Sequence, residues 1–557
     1  MKIQTWMKQS ALWLMCFVSA LLPVAAQAEN KPVAVVSFAG YDALITDLNY
    51  IGELSGAPQL AQSLEGILAL VTRAQGLAGL DKSKPIGASL TLSEGGAPTP
   101  LIFIPVTDVD KLLDALQGVV PNVEDLGDGF SKIRLPNGLP LVMKVSEGWA
   151  FLSMSQESLA DLPKDPAKLL GDLPAKYDLA VQLNVQNIPA PLLQFAIDQV
   201  KRGAEPGLRQ KDGESDTDYE TRKKFTEATL EQVTQAIEEI DHITVGYAID
   251  KKEEGALLDL ELTVKEGGKL AKQLIAAKEA AKPSKLAGFA DEEAVANFHF
   301  TSPILEDDAK TILGAIEMGR EQAAKKIDES NDLEGQDIKD AVKKMVSDIF
   351  DVAAATIKGG QVNGAAAIYG EGPFELFAAG LVVDAKKLEG VVKKAVELFG
   401  DAPDFPDVEF DADEKGGVTY HNITVPVPPD PEAQKVFGEE VTISLGFGKN
   451  LVVVAVAEED GVESAAEIVA DNAGADELPP AQLQVRLGPI VQFAVDNDED
   501  AKKPAKELAE LLADVEDDHV SFITDYIPNG QRTRISIEEG LLQAFGKAVV
   551  AGMQGGR

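Results

Sequence analysis

Histidine is scarce in this 557-residue chain, present only as His242, His299, His421 and His519. Two of the four follow an aspartate directly, as Asp241-His242 and Asp518-His519. An aspartate beside a histidine can orient the imidazole for general-base work. Both pairs lie where a helical stretch passes into a strand-like one, and neighbours on a strand point to opposite faces. No GxSxG nucleophile motif accompanies them. The pairs read as structural, and no catalytic residue is assigned.

Metal and cofactor motifs are equally sparse. No HExxH or other histidine-based ligand spacing occurs. Asp496-Asn497-Asp498-Glu499-Asp500 matches the start of a calcium loop, with Glu507 at the twelfth position. Ala501 replaces its central glycine, and Lys502, Lys503 and Pro504 interrupt it. Asp407, Glu409, Asp411 and Asp413 alternate and would share one strand face. Asp212, Glu214, Asp216 and Asp218 would do the same in an extended loop. Solvated acidic surface is the reading of both, with divalent cations left open as partners. Neither a Walker P-loop nor a strand-linked GxGxxG is present, so no nucleotide cofactor is expected. Aromatic residues make up 6%, and Trp149 is the one tryptophan beyond residue 28, which disfavours a stacked-ring carbohydrate platform. Cofactor-binding and metal-binding residues are therefore left unassigned.

The elements that would position any site recur. Pro85–Gln117 reads as strand, turn, strand and then a helix opened by Asp108. Similar units begin at Asp241, Val362 and Asp518. In the second, Leu258, Leu260, Leu262 and Val264 alternate with Asp259, Glu261 and Thr263, which predicts a strand with leucines on a core and acids in water. Each second strand runs into an acid near a helix start: Asp108, Glu266, Asp384 and Glu539. Lys111, Lys269 and Lys387 follow three residues after the first three. Helix capping accounts for these acids without a shared site.

The order of elements repeats once more on a larger scale. Asp108 matches Asp384, and Asp241-His242 matches Asp518-His519 at nearly the same separation. The fold class expected is α+β, in two homologous halves, each mainly antiparallel sheet with helices packed on one face and built from ββα units. The halves are read as 29–287 and 288–557, with Ala280–Ala287 as linker and Lys201–Lys224 as an exposed polar loop. Gln336–Ile357 carries a helical apolar stripe.

Residues 1–28 read as a signal peptide, with Lys2 and Lys8, an apolar run and Ala26-Gln27-Ala28 as cleavage site. Cys16, the single cysteine, falls inside it, so disulfides and thiolate chemistry are excluded from the rest. The expected address is periplasmic or extracellular, with no stable membrane span after cleavage. A formal charge of −40 excludes nucleic acid as a natural partner.

The passages IPVTDVDKLLDAL, LVVDAKKLEGVV and YDLAVQLNVQNIP resemble an uncharacterised family of exported bacterial proteins with duplicated strand–helix modules. The resemblance covers most of the chain beyond residue 28 and implies export and a mixed fold, but no activity. The functional expectation is a non-catalytic binding or structural component of the cell envelope or extracellular space, with an unknown ligand or protein partner. The alternative is a hydrolase that works on envelope or extracellular polymers with carboxylates.

Overall fold

The computed structural model describes residues 31–555, except 94, 119–122, 136–137, 334, 371–372, 403–404, 428–430, 458–460, 472–477, 498–502, 514 and 516. The signal-peptide reading, Cys16 and the centre of the calcium-like loop lie outside the described residues. Contacts divide the chain into two compact units that are not contiguous in sequence. Unit one comprises Met1–Arg202, Ile237–Lys265 and Leu542–Arg557, and unit two comprises Gly203–Ala236 and Glu266–Leu541.

Unit one carries β1 (Ala34–Phe38), β2 (Ile86–Leu92), β3 (Pro98–Pro105), β4 (Val123–Gly127), β5 (Phe130–Arg134), β6 (Pro140–Ser146), β7 (Trp149–Ser153), β8 (Leu179–Asn184), β9 (Ile240–Asp250) and β10 (Gly255–Val264). Their order is β4-β5-β6-β7-β3-β2-β1-β8-β9-β10, antiparallel throughout. Unit two carries β11 (Ala296–Pro303), β12 (Gln361–Tyr369), β13 (Glu375–Leu381), β14 (Asp407–Lys415), β15 (Val418–Pro426), β16 (Glu440–Phe447), β17 (Leu451–Ala457), β18 (Ala481–Arg486), β19 (His519–Ile527) and β20 (Gly530–Glu538). Their order is β14-β15-β16-β17-β13-β12-β11-β18-β19-β20, again antiparallel. The two orders are the same, strand for strand.

Five helices position the candidate side chains: α1 (Tyr41–Leu54) and α2 (Val109–Ala115) in unit one, with α3 (Glu306–Glu329), α4 (Gln336–Lys358) and α5 (Ala385–Phe399) in unit two. Asp108 and Asp384 cap α2 and α5, their carboxylates accepting the Lys111 and Lys387 backbone N–H at 3.1 Å. Glu266 does not cap, because Gly268 holds that position, and Glu539 is the first residue of its helix.

Packing on both sheet faces replaces the one-face expectation. On β3, Phe103 joins a core with Phe151, Leu159 and Leu170, while its neighbours Ile102 and Ile104 join another with Leu112 of α2. Alternate residues of one strand point to opposite faces, so both faces carry a core. In unit two, Tyr420 packs with Phe377 and Val462 in a core on one face, leaving its neighbour His421 to the other.

The alternation on β10 is correct in period and inverted in facing from Leu258 to Leu260, while Val264, beyond a register shift, is buried as expected. Asp259 is 1% exposed, whereas Leu258 and Leu260 are 40% and 51% exposed. The Tyr177 hydroxyl donates to Asp259 Oδ2 at 3.0 Å, which satisfies the acid inside. Leu179, Val181 and Leu183 of β8 and Val245 and Tyr247 of β9 stand beside the leucines in register and are likewise exposed. Ser284, Leu286, Ala287 and Phe289 are buried, so the expected linker belongs to the unit-two core. Lys201–Lys224 is largely ordered into helix ends and a 3-10 turn rather than an open loop. Among the described residues, no helix is long and apolar enough to cross a membrane.

Candidate functional site

Glu389, Asp411 and His421 converge in unit two, with one ligand atom from each within 4.8 Å of the others. Glu389 lies one turn into α5. Lys386 and Lys393, three residues before and four after, fall on the same helix face. Their ammonium groups reach its carboxylate at 2.8 Å and 2.9 Å. Glu389 is 8% exposed. Burial raises its pKa, but Lys386 and Lys393 prevail and hold it at about 2.

His421 comes from β15, which pairs with β14 across Gly416-Gly417, both at positive φ as a tight hairpin turn needs. The pairing shifts register between Glu409 and Asp413. Within this bulge Asp411 takes φ 54°, a conformation uncommon for a non-glycine residue. The bulge breaks the single acidic face expected of Asp407, Glu409, Asp411 and Asp413. It also aims the Asp411 backbone N–H at His421 Nδ1, 2.9 Å away.

The His421 ring is fully buried, edge-on to Phe410 at 5.3 Å and tilted against Phe447 at 5.8 Å. Because Nδ1 accepts, the proton of the neutral ring sits on Nε2. Nε2 lies 3.3 Å from Glu389 Oε1 and completes no hydrogen bond. Burial first, then the Lys393 ammonium, push the His421 pKa below the usual imidazole value, against Glu389 and Asp411. Lys393 also reaches Asp411 Oδ1 at 3.2 Å, so its ammonium bridges the two carboxylates.

The equivalent place in unit one carries neither the acid nor the imidazole. Leu113 stands five residues after the cap Asp108, as Glu389 does after Asp384. Following the strand register through Leu445, Val454 and Ala378, His421 occupies the position of Ser131, which connects through Met143 and Leu152 to Ile102. Leu113 there packs against the apolar cluster that contains Ile133 and Leu141.

The histidine pairs singled out by sequence do different work. His242 Nδ1 meets its own neighbour Asp241 at 3.2 Å, on partly exposed unit-one surface. Asp518 is buried and accepts from Arg486 Nε at 3.1 Å and the Gly488 N–H at 2.6 Å. His519 turns elsewhere, to Glu538 at 2.7 Å and the Glu292 carbonyl at 3.0 Å, and the Glu538 carboxylate raises its pKa. His299 is buried with Nε2 on the Pro479 carbonyl. Glu214 is held by Arg222, and Asp218 by Lys325 and Ser215. A second acid pair, Asp47 of α1 with Asp178, sits in unit one. Burial, then Asp178, raise the Asp47 pKa to about 7.

Sequence reading noted Asp411 and His421 separately and missed Glu389. The available signal was Lys-x-x-Glu-x-x-x-Lys on α5, a spacing that surrounds one acid with two bases. No family model, curated protein or solved structure matches this chain.

Proposed function

We propose that this is an exported protein whose working centre is Glu389–Asp411–His421, a divalent-cation site that supports hydrolysis through carboxylates. The observation that carries the reading is His421: a fully buried imidazole, with Nε2 unsatisfied and turned to a carboxylate. Buried polar atoms without partners are uncommon and call for a cause. Two carboxylates and one imidazole suit zinc, manganese or iron, and three protein ligands leave room for water or substrate. A bound divalent ion lowers the pKa of such a water.

The ion would enter where Lys393 now lies, so this 40% exposed side chain would have to leave both carboxylates and swing outward. Ligation by Nε2 requires the ring proton to leave it. With Nδ1 as its new seat, the Asp411 N–H contact would have to open. Cation binding would therefore be coupled to a local change in β14.

Export and membership of the duplicated family belong to the same proposal, as does the homology of the two halves. The shared strand order and the matching caps Asp108 and Asp384 support that homology. The competing reading is a non-catalytic envelope component. Lys386 and Lys393 favour it, because their two ammonium groups already balance the two carboxylates.

Thermal unfolding with zinc, manganese or calcium separates the two. An ion at a hundred times its Kd stabilises by about 2.7 kcal/mol. A rise in Tm lost in both Glu389→Gln and His421→Asn supports the cation site. No rise with any of the three ions leaves a lysine-closed charge network and sinks the proposal. Release of product from a peptidoglycan or polysaccharide digest, dependent on the same ion, tests the hydrolytic part.

A further inference from the structure

We infer that unit two also binds a single uncharged acyl chain, in a cavity between α3, α4 and strands β12 and β13. The cavity holds about 390 Å³, within the range of small-ligand pockets. Its walls include Phe300, Ile316, Ala353, Ile357, Val362 and Leu381, and no charged residue lines it. The lining Thr356 hydroxyl is occupied, donating to the Val352 carbonyl at 2.8 Å and accepting the Val383 N–H at 3.1 Å. Asn363 also lines the cavity, and its buried Oδ1 makes no hydrogen bond, so an occupant is recognised mainly by apolar burial, with one acceptor left for a hydroxyl.

The room comes from two glycines. Gly364 and Gly380 face each other across β12 and β13, in a row with Phe300 on one side and Val452 on the other. A Cβ on Gly364 would strike the Phe300 ring at 2.5 Å. A Cβ on Gly380 would meet only the Asn363 carbonyl, at 4.0 Å, so it would project into open space. The floor is thus vacant at Gly380 because the residue has no side chain.

The shape beyond the cavity selects a chain over a compact molecule. Phe300 stacks on Phe298 at 5.6 Å. Phe298 pairs in register with Leu483, and Leu483 with Phe522. These three are 40%, 36% and 40% exposed on the same sheet face. Cavity and strip together form one elongated apolar track. The formal charge of −40 disfavours an anionic headgroup, which leaves an uncharged one.

Isothermal titration of the whole protein with monolauroylglycerol, in EDTA to exclude the cation site, tests this. One-to-one binding is expected. Gly380→Val, which fills the floor, should weaken it at least tenfold with circular dichroism unchanged. Phe298→Ser lies at an exposed position and should weaken it several-fold, which keeps the test decisive if Gly380→Val fails to fold. Absence of binding, or equal affinity in both variants, overturns the inference. Tighter binding of sodium laurate overturns the uncharged headgroup, and equally tight binding of cyclohexane overturns the extended track.

Discussion

Replacing Glu389 by glutamine removes the charge at the centre of the unit-two cluster and keeps its volume. The wild-type carboxyl is held at about 2, against an ordinary 4.5. Taken in full, that difference corresponds to about 3 kcal/mol of folding stability at neutral pH. Its lysine partners are 50% and 40% exposed, so solvent screening reduces the figure to about 1–2 kcal/mol. The sign follows from a depressed acid. The contribution is complete above 4.5 and is lost as pH falls toward 2. Urea unfolding of wild type and Glu389→Gln should therefore differ by about 1–2 kcal/mol at pH 7, and the two should converge near pH 2. Circular dichroism follows the whole chain. Equal midpoints at pH 7, or a difference that persists to pH 2, would refute the assignment of Glu389 as a lysine-held carboxylate.

Lys393→Met should tighten divalent-cation binding at least tenfold in a calorimetric titration, because the competing ammonium is gone; weaker binding would mean Lys393 holds the ligands in place. His519 has a raised pKa, so its contribution is complete below about 6.5 and falls as pH rises through the folded value. His519→Asn should cost roughly 1.5–3 kcal/mol at pH 6, where two charge-assisted bonds are lost, and less at pH 9; a loss that does not change with pH would contradict this. Asp47, raised to about 7, makes unit one lose stability as pH climbs from 3.8 to 7, by roughly 1–2 kcal/mol once its partly exposed setting is discounted. Asp47→Asn should therefore raise the unfolding midpoint followed by Trp149 fluorescence at pH 8 and leave it unchanged at pH 3. Asp384→Ala should cost about 0.5–2 kcal/mol as a lost cap, read as faster amide exchange in the first turn of α5.

Periodic features were legible in the sequence, and the facing of surfaces was not. Alternation from Leu258 to Val264 identified a strand, and the caps Asp108 and Asp384 followed from their positions before amphipathic helices. What could not be read was which face of β10 would be inside. That depends on Tyr177, far away in the chain, whose hydroxyl makes a buried Asp259 tolerable. The same limit hid the unit-two cluster. Asp411 looked like one of four equivalent acids until the bulge turned it, and a bulge has no signature in the alternation itself. Glu389 lies in a lysine-rich stretch of α5 that reads as solvent-facing helix, and only the β15 strand packed beneath shows that it is covered. Asp241-His242 and Asp518-His519 drew attention because they are adjacent in sequence. In the fold Asp518 and His519 have separate partners, and the Asp241 and His242 side chains meet each other on partly exposed surface.

The inverted face of β8, β9 and β10 has a colloidal consequence. Seven apolar side chains stand exposed on three neighbouring strands, and a patch of this kind on a neutral protein promotes self-association. Here the formal charge of −40 sets long-range repulsion against short-range attraction between copies. Electrolyte weakens the first and spares the second, since the screening length falls from about 10 Å at 0.1 M salt to about 3 Å at 1 M. The acidity that separates one molecule from the next is therefore what lets the sheet keep its leucines outside.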